Sequence, residues 1–487
     1  MVQVKSALAA GVLLASAAYA VTPVVVDGAD FVNAVSGARF QMIGVAYQPG
    51  GSAGYNPGSG TDPLSDEAQC LRDAILMQRA GINTVRVYNL DPMIDHTPCM
   101  SIFNAAGIYM VLDVNSPLPN ESLNRAAPWE SYNEDYMNRV FQIVEAFKSF
   151  PNTLGFFSAN EVINEESDPS VPSYIRAVTR DIKDYIASHS DRTIPVGYSA
   201  ADVRPLLADT FNYLSCNLEA SAESKMDFFG LNSYSWCGDA TFETAGYNIL
   251  MEDFSSTTVP IFFSEYGCNE VEPRTFEEVG SIYSTPMTGV FSGGLVYEYT
   301  EEDNEYGLVT INDDNSIDLS QDYVNLMDQF NQIDLTALTQ ANSTATNLEA
   351  PTCESSMITS NLTNSFDIPE RLSEISDLIN NGVGGTWPTG TTEVTNTAEV
   401  ATVRNPDGSE LTGLELRVLP DDESNLPGEN VSGTTGTAGP GTSTPSSTGT
   451  SSGGGSSPTG ESAASSSKVN VDVLVLAALA LGVWAQM

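Results

Sequence analysis

Two unbroken apolar runs each close on an acid: residues 154–162 read LGFFSANEV and residues 260–270 read PIFFSEYGCNE. Runs of aliphatic and aromatic residues that end in polar ones predict strands buried on both faces. In a parallel barrel, such strands deliver their last side chains to the carboxyl-end mouth. Six more runs share the pattern, at 40–46, 83–88, 108–114, 194–199, 227–232 and 295–299. Stretches with helical spacing lie between them, at 66–80, 132–150 and 172–188, and another at 321–333 follows the last run. Apolar strands alternating with helices predict the α/β class and a (β/α)8 TIM barrel. A hairpin over 24–39, with turns at Asp27-Gly28 and Ser36-Gly37, precedes it.

Beyond residue 333 the periodicity loosens. A short helix at 369–380 and two strands at 398–404 and 411–419 form a small accessory segment, with Cys353 as its one cysteine. Residues 432–467 are Ser, Thr, Gly and Pro almost throughout, which cannot bury a core and predicts a disordered, O-glycosylated stalk. At the start, Lys5, an apolar run over 7–18 and Ala18-Tyr19-Ala20 form a signal peptide with its cleavage site. At the end, small residues, a polar spacer and the apolar tail 473–485 form a GPI-attachment signal, with Ser462 or Ala463 as the anchored residue. The expected organisation is signal peptide 1–20, catalytic barrel 21–335, accessory segment 336–430, stalk 431–462 and propeptide 463–487. The mature protein is then expected at the cell surface, held to the outer leaflet of the plasma membrane by a GPI lipid or passed to the cell wall.

The 487 residues carry 63 acids against 19 bases, a net charge of -44. That excludes nucleic acid as a partner, since phosphates require Lys and Arg. A neutral or cationic substrate and a monomer are expected. The glycines of residues 50–60 have no G-x-G-x-x-G spacing and open no helix, so they form a rim loop and no phosphate cradle. The two histidines, His96 and His189, supply neither a Ser-His-Asp triad nor a metal site. No cofactor and no metal are expected. Six cysteines in an exported chain point to disulfides, and their spacing leaves the pairing open. Asn120, Asn342, Asn361 and Asn430 head glycosylation sequons.

The chemistry left is that of paired carboxylates. Glu161 and Glu265 sit at the ends of two strands of one barrel, the arrangement that cleaves glycosidic bonds. At a separation of about 5 to 5.5 Å the reaction retains configuration; spacing alone leaves an inverting pair open. Glu265 is then the nucleophile. Glu161 is the acid and later the base, and Asn160 bonds the sugar 2-hydroxyl. Tyr47, Tyr88, Tyr234, Trp236, Tyr266, Tyr297 and Tyr299 fall near the same strand ends, where aromatic faces suit an oligosaccharide groove.

GVAYQ (44–48), RVYNLD (86–91), LDVNSP (112–117), SANEV (158–162), VGYSAAD (196–202), WCG (236–238), FFSEYGCNE (262–270) and GGLVYEY (293–299) resemble the fungal GPI-anchored β-1,3-glucanosyltransferases of glycoside hydrolase family 72. The likeness covers 24–333, with Cys353 as an outlying match. No cysteine follows Cys353, so the similarity is to the type without a Cys-rich glucan-binding module. The resemblance implies an enzyme that cuts β-1,3-glucan internally and transfers the new reducing end to the non-reducing end of another glucan, elongating wall polymer. It implies Glu161 as proton donor and Glu265 as nucleophile. By motif it implies Tyr88, Asn115, Ser116, Asn160, Asp202, Arg204, Tyr234 and Tyr297 as sugar-binding residues. It also implies the disulfides Cys70–Cys99, Cys216–Cys353 and Cys237–Cys268. Leu207 departs from the family pattern, which often has a further basic residue there, and the Asn120 sequon falls in the presumed donor-site loop. The rival readings are an endo-β-1,3-glucanase and an inactive wall-binding protein.

Overall fold

The computed structural model describes residues 21–51, 54–165, 170–340, 348–399 and 401–435. The expected signal peptide, the Asn342 sequon, the stalk beyond residue 435 and the GPI signal lie outside them.

Eight parallel strands close into a barrel: β4 (Met42–Ala46), β5 (Thr84–Val87), β6 (Tyr109–Asp113), β7 (Thr153–Asn160), β8 (Val196–Ala201), β9 (Phe228–Asn232), β10 (Ile261–Tyr266) and β11 (Phe291–Val296), with β11 pairing back to β4. Helices Glu67–Arg79, Thr97–Ala105, Glu134–Phe147, Val171–His189, Arg204–Ser215 and Tyr247–Asp253 lie between successive strands. Their apolar stripes cover the outer face of the sheet, so each strand is buried on both sides and reads as apolar throughout. The helices start on local signals. The Asp66 carboxylate accepts from the backbone N–H of Ala68 and Gln69, and Asn133 accepts from Tyr136.

Alternation along the strands separates outside from inside. Ile43, Val45, Val85, Val87, Met110 and Leu112 pack outward against the helices. Met42, Tyr109, Val111, Leu154, Phe157, Phe228 and Phe262 form a separate cluster within the barrel. The strands β1 (Val24–Asp27), β2 (Asp30–Asn33) and β3 (Arg39–Phe40) make a small antiparallel sheet. From it Phe31 enters that inner cluster, 5.7 Å from the ring of Phe228 and 5.9 Å from that of Phe262. The barrel is thus floored by aromatic rings, and polar chemistry is confined to its carboxyl end.

The last barrel strand differs from the expected 295–299: it runs Phe291–Val296. Ser292-Gly293-Gly294 reads as a breaker, yet it is strand. Gly293 has φ +87°, and a Cβ there would lie 2.1 Å from the carbonyl oxygen of Met42. The glycine lets the neighbouring backbone approach and close the barrel.

The described residues after 335 pack onto the barrel. Helix Ser373–Asn381 buries Ile375 and Ile379 in the outer core. A five-stranded sheet runs β12 (Val309–Ile311), β13 (Ile317–Leu319), β14 (Val403–Arg404), β15 (Glu410–Thr412) and β16 (Thr434–Thr435). Buried Asn425 donates to the carbonyls of Gln78 and Ile82 at 3.0 and 2.8 Å, which ties the segment to the first barrel helix. Disulfides join Cys70–Cys99, Cys216–Cys353 and Cys237–Cys268.

Candidate active site

Strand β7 ends at Asn160, and Glu161 follows with φ +51°. Its backbone N–H donates to Ser199 of β8 at 2.8 Å, which fixes the turn that aims the carboxyl inward. Glu265 lies on β10, in register with Asn232 of β9. Asn232 bridges the two acids. Its Nδ2 donates to Glu161 Oε1 at 2.9 Å and to Asn160 Oδ1 at 3.2 Å. Its Oδ1 faces Arg86 Nη1 at 3.3 Å, and the same nitrogen lies 3.2 Å from Glu265 Oε1.

Glu265 is held from three sides. Tyr88 donates to Oε1 at 3.0 Å and Tyr234 to Oε2 at 2.7 Å, while Arg86 supplies the positive charge. Arg86 is itself fully buried and paired with Asp113, with Nη2 3.0 Å from Oδ2. Its guanidinium lies between the rings of Tyr88 and Phe157, 4.4 and 4.6 Å from their centroids. It also donates to Asn160 Oδ1 at 2.8 Å. The Asn160 oxygen is therefore fully engaged, and its NH2 has no partner among the described residues.

These contacts leave the two acids unequal. Burial, and then the charge of Glu265, push Glu161 up to about 7; Asn232 and Arg86 pull it back only in part. Glu161 therefore keeps its proton in weak acid, beside a carboxylate bound by a cation and two phenols. Burial also pushes Asp113 up to about 6, against the pull of Arg86. The mouth thus holds one carboxyl pushed up by burial and another that is contacted by Arg86, Tyr88 and Tyr234.

The remaining residues sort by contact. Tyr297, just past β11, meets Tyr88 and Tyr234 edge-on at 6.4 and 6.2 Å. Tyr306 joins them, 5.3 Å from Tyr297 and 5.6 Å from Tyr234; it sits on a loop and has no sequence pattern to mark it. Asp202 pairs with Arg204 and accepts from Ser233 at 2.7 Å, beyond the end of β8. Asn115 accepts from Tyr136 at 2.6 Å and donates to Ser158 at 3.0 Å. The Ser116 hydroxyl donates to Glu121 at 2.6 Å, so it shapes its own loop. Of the expected rim aromatics, Tyr47, Trp236, Tyr266 and Tyr299 are buried in packing; Tyr47 and Tyr299 both donate to Asp73, at 2.8 and 3.1 Å. Asn120 and Asn361 are exposed, whereas Asn430 Nδ2 donates to Asn425 at 3.0 Å. Among the described residues one trio of possible metal donors comes together, Cys237, Cys268 and Glu270, and both sulfurs are joined in a disulfide. Sequence reasoning missed Arg86, Asp113, Asn232 and Tyr306.

Comparison with known proteins shows the family. A family model described as glucanosyltransferase, glycoside hydrolase family 72, matches residues 13–334. The 1,3-beta-glucanosyltransferase gel2 of Aspergillus fumigatus is 54% identical over 423 residues, 87% of this chain and 88% of that protein. The probable 1,3-beta-glucanosyltransferase GAS3 of Saccharomyces cerevisiae is 49% identical over 361 residues, 71% of this chain and 68% of that one. Among solved structures, Saccharomyces cerevisiae Gas2p in complex with laminaripentaose superposes with a TM-score of 0.60 at 37% identity, covering 68% of this chain and 74% of that one.

Proposed function

The chain belongs to the glucanosyltransferase family, glycoside hydrolase family 72, and is a 1,3-β-glucanosyltransferase; we propose that its reaction runs through Glu265 as nucleophile and Glu161 as proton donor and base. The observation that carries this reading is their unequal surroundings: Glu161 is met by the Asn232 amide and pushed up to about 7 by burial and the charge of Glu265, whereas Glu265 takes contacts from Arg86, Tyr88 and Tyr234.

In the first half-reaction a Glu265 oxygen attacks the anomeric carbon of a β-1,3-glucan. The bond from that carbon to the leaving O3 breaks, and the proton of Glu161 passes to O3. The retained fragment stays esterified to Glu265 through its new reducing end. Esterification removes the Glu265 charge, one of the two influences that raise Glu161, so Glu161 becomes the better acid and the stable base. In the second half, the 3-hydroxyl at the non-reducing end of another glucan gives its proton to Glu161. Its oxygen bonds the anomeric carbon, and Glu265 departs. Two inversions leave a β bond. The free NH2 of Asn160 meets the 2-hydroxyl of the reacting sugar, and Tyr88, Tyr234 and Tyr297 wall the donor. Asp202 and Arg204 bind sugar further out.

Transfer prevails over hydrolysis where an acceptor sugar occupies the mouth in place of water. Incubation with a reduced laminari-oligosaccharide tests this. Products longer than the substrate are expected, and a ladder of shorter products alone makes the protein a glucanase.

The three disulfides fit an extracellular protein. The apolar tail and the small residues before it support attachment through a GPI lipid at Ser462 or Ala463, on the outer face of the plasma membrane or in the wall. Release from intact cells by a phosphatidylinositol-specific phospholipase checks the anchor.

A further inference from the structure

The chain leaving Glu265 turns at Gly267 and runs to the helix Glu278–Ile282. In that loop Arg274 is buried, with 2% of its side chain exposed. Asp322, at the start of helix Gln321–Phe330, anchors it: Arg274 Nε donates to Oδ2 at 2.6 Å and the backbone N–H to Oδ1 at 2.9 Å. The other two nitrogens face away from that carboxylate. Nη1 donates to the carbonyl of Tyr297 at 2.8 Å and of Gly267 at 3.3 Å, and Nη2 to the carbonyl of Tyr306 at 2.6 Å. One planar fork thus joins three segments: the turn just past Glu265, the residue that follows β11, and the loop between β11 and β12.

Two of those carbonyls belong to rim tyrosines. Tyr297 and Tyr306 pack edge-on, and both rings touch Tyr234, whose hydroxyl holds Glu265. A shift of either backbone therefore moves the aromatic wall relative to the attacking oxygen. A lysine carries the charge but not the fixed geometry that reaches Asp322 and three carbonyls at once.

We propose that Arg274, locked by Asp322, is a positioning residue for the glucan groove, setting Tyr297 and Tyr306 against Glu265. The proposal rests on the mouth being a glucan site. It touches no sugar and acts through the two tyrosines, so its loss registers in sugar binding as well as in folding.

The test is laminaripentaose titration, by calorimetry, into the full chain carrying Glu161→Gln, with and without Arg274→Lys. The expected result is an affinity lower by about tenfold to a hundredfold, the scale of misplacing a binding wall. In the active chain the same substitution raises KM by a similar factor and changes kcat less. Asp322→Asn, which keeps the guanidinium, shows a smaller loss in the same direction, and it serves if Arg274→Lys fails to fold. In a Tyr306→Ala background Arg274→Lys adds less than it does alone, because the part of its effect that runs through the Tyr306 ring is already lost. Folded variants that bind and turn over laminaripentaose as the parent does overturn the proposal, as do losses that simply add. A parent chain that does not bind laminaripentaose at all overturns the glucan reading first, and this one with it.

Discussion

Arg86 grips Asp113 with two nitrogens, Nη2 3.0 Å and Nε 3.2 Å from Oδ2, and turns its third toward Glu265 Oε1 at 3.2 Å. A buried cation shared between two buried carboxylates cannot lose its charge without stranding them. Arg86→Met is therefore expected to destabilise the chain by about 3–5 kcal/mol, the cost of breaking a buried pair. Arg86→Lys keeps one charge and loses the fork, so Asn160, Asn232 and Glu265 no longer share a donor. Activity falls by about a hundredfold or more with a smaller loss of stability. Denaturant melts and kcat/KM on laminari-oligosaccharides separate the two effects.

The proton on Glu161 predicts the alkaline limb of the rate profile. With its ionisation pushed up to about 7, log kcat/KM declines with unit slope above about pH 7. Glu161→Gln lowers turnover of glucan by about a thousandfold and abolishes that limb. A donor whose leaving group is a nitrophenolate needs no proton, so it restores the first step in Glu161→Gln. The same donor does not restore Glu265→Gln, which lacks the attacking oxygen. Equal failure of both variants on the activated donor contradicts the division of roles.

The same shift has a sign for stability. Glu161 ionises less readily folded than unfolded, so its favourable contribution is complete below about pH 4.5 and is lost as pH rises through about 7. Above that the folded protein carries a poorly solvated charge. Glu161→Gln is expected to melt higher than the parent at pH 8, by the equivalent of roughly 1–2 kcal/mol once partial solvent access is allowed for. The difference disappears at pH 4. A variant less stable than the parent at pH 8 counts against the burial argument.

The strands were legible because helices cover the sheet outside and aromatic rings fill it inside, which leaves apolar runs with acids at their tips. Glu161 and Glu265 stand out for that reason. Arg86, Asp113 and Asn232 did not, because each sits inside or at the close of a run that reads as strand. Alternation was the signal: Thr84-Arg86, Tyr109-Val111-Asp113 and Phe228-Gly230-Asn232 share the inward face, which turns polar toward the carboxyl end. The rim aromatics were over-counted, since proximity to a strand end does not say which way a ring points. Tyr47 and Tyr299 turn back to Asp73. Strands β12 to β16, two or three residues each, are too short to show any period, and Tyr306 and Arg274 lie on loops whose folding is decided by tertiary contacts.

Two of the three disulfides differ in what they serve, one stability and the other the mouth. Cys216 and Cys353 lie 137 residues apart and tie the segment after the barrel to its outer side, next to the buried guanidinium of Arg176. Cutting a loop of that length costs about 3–5 kcal/mol. The pair Cys216→Ser and Cys353→Ser should therefore melt well below the parent yet keep its kcat/KM at temperatures where it stays folded. Cys237 and Cys268 lie 31 residues apart, each three residues beyond a group of the site, Tyr234 and Glu265. Their bond closes a ring around the 2.7 Å contact between Tyr234 and Glu265. The pair Cys237→Ser and Cys268→Ser should lose less stability but more activity, by about tenfold to a hundredfold, because the phenol is no longer held over the carboxylate. Side-by-side melts and initial rates on laminari-oligosaccharides decide it, and the reverse ranking removes the assignment.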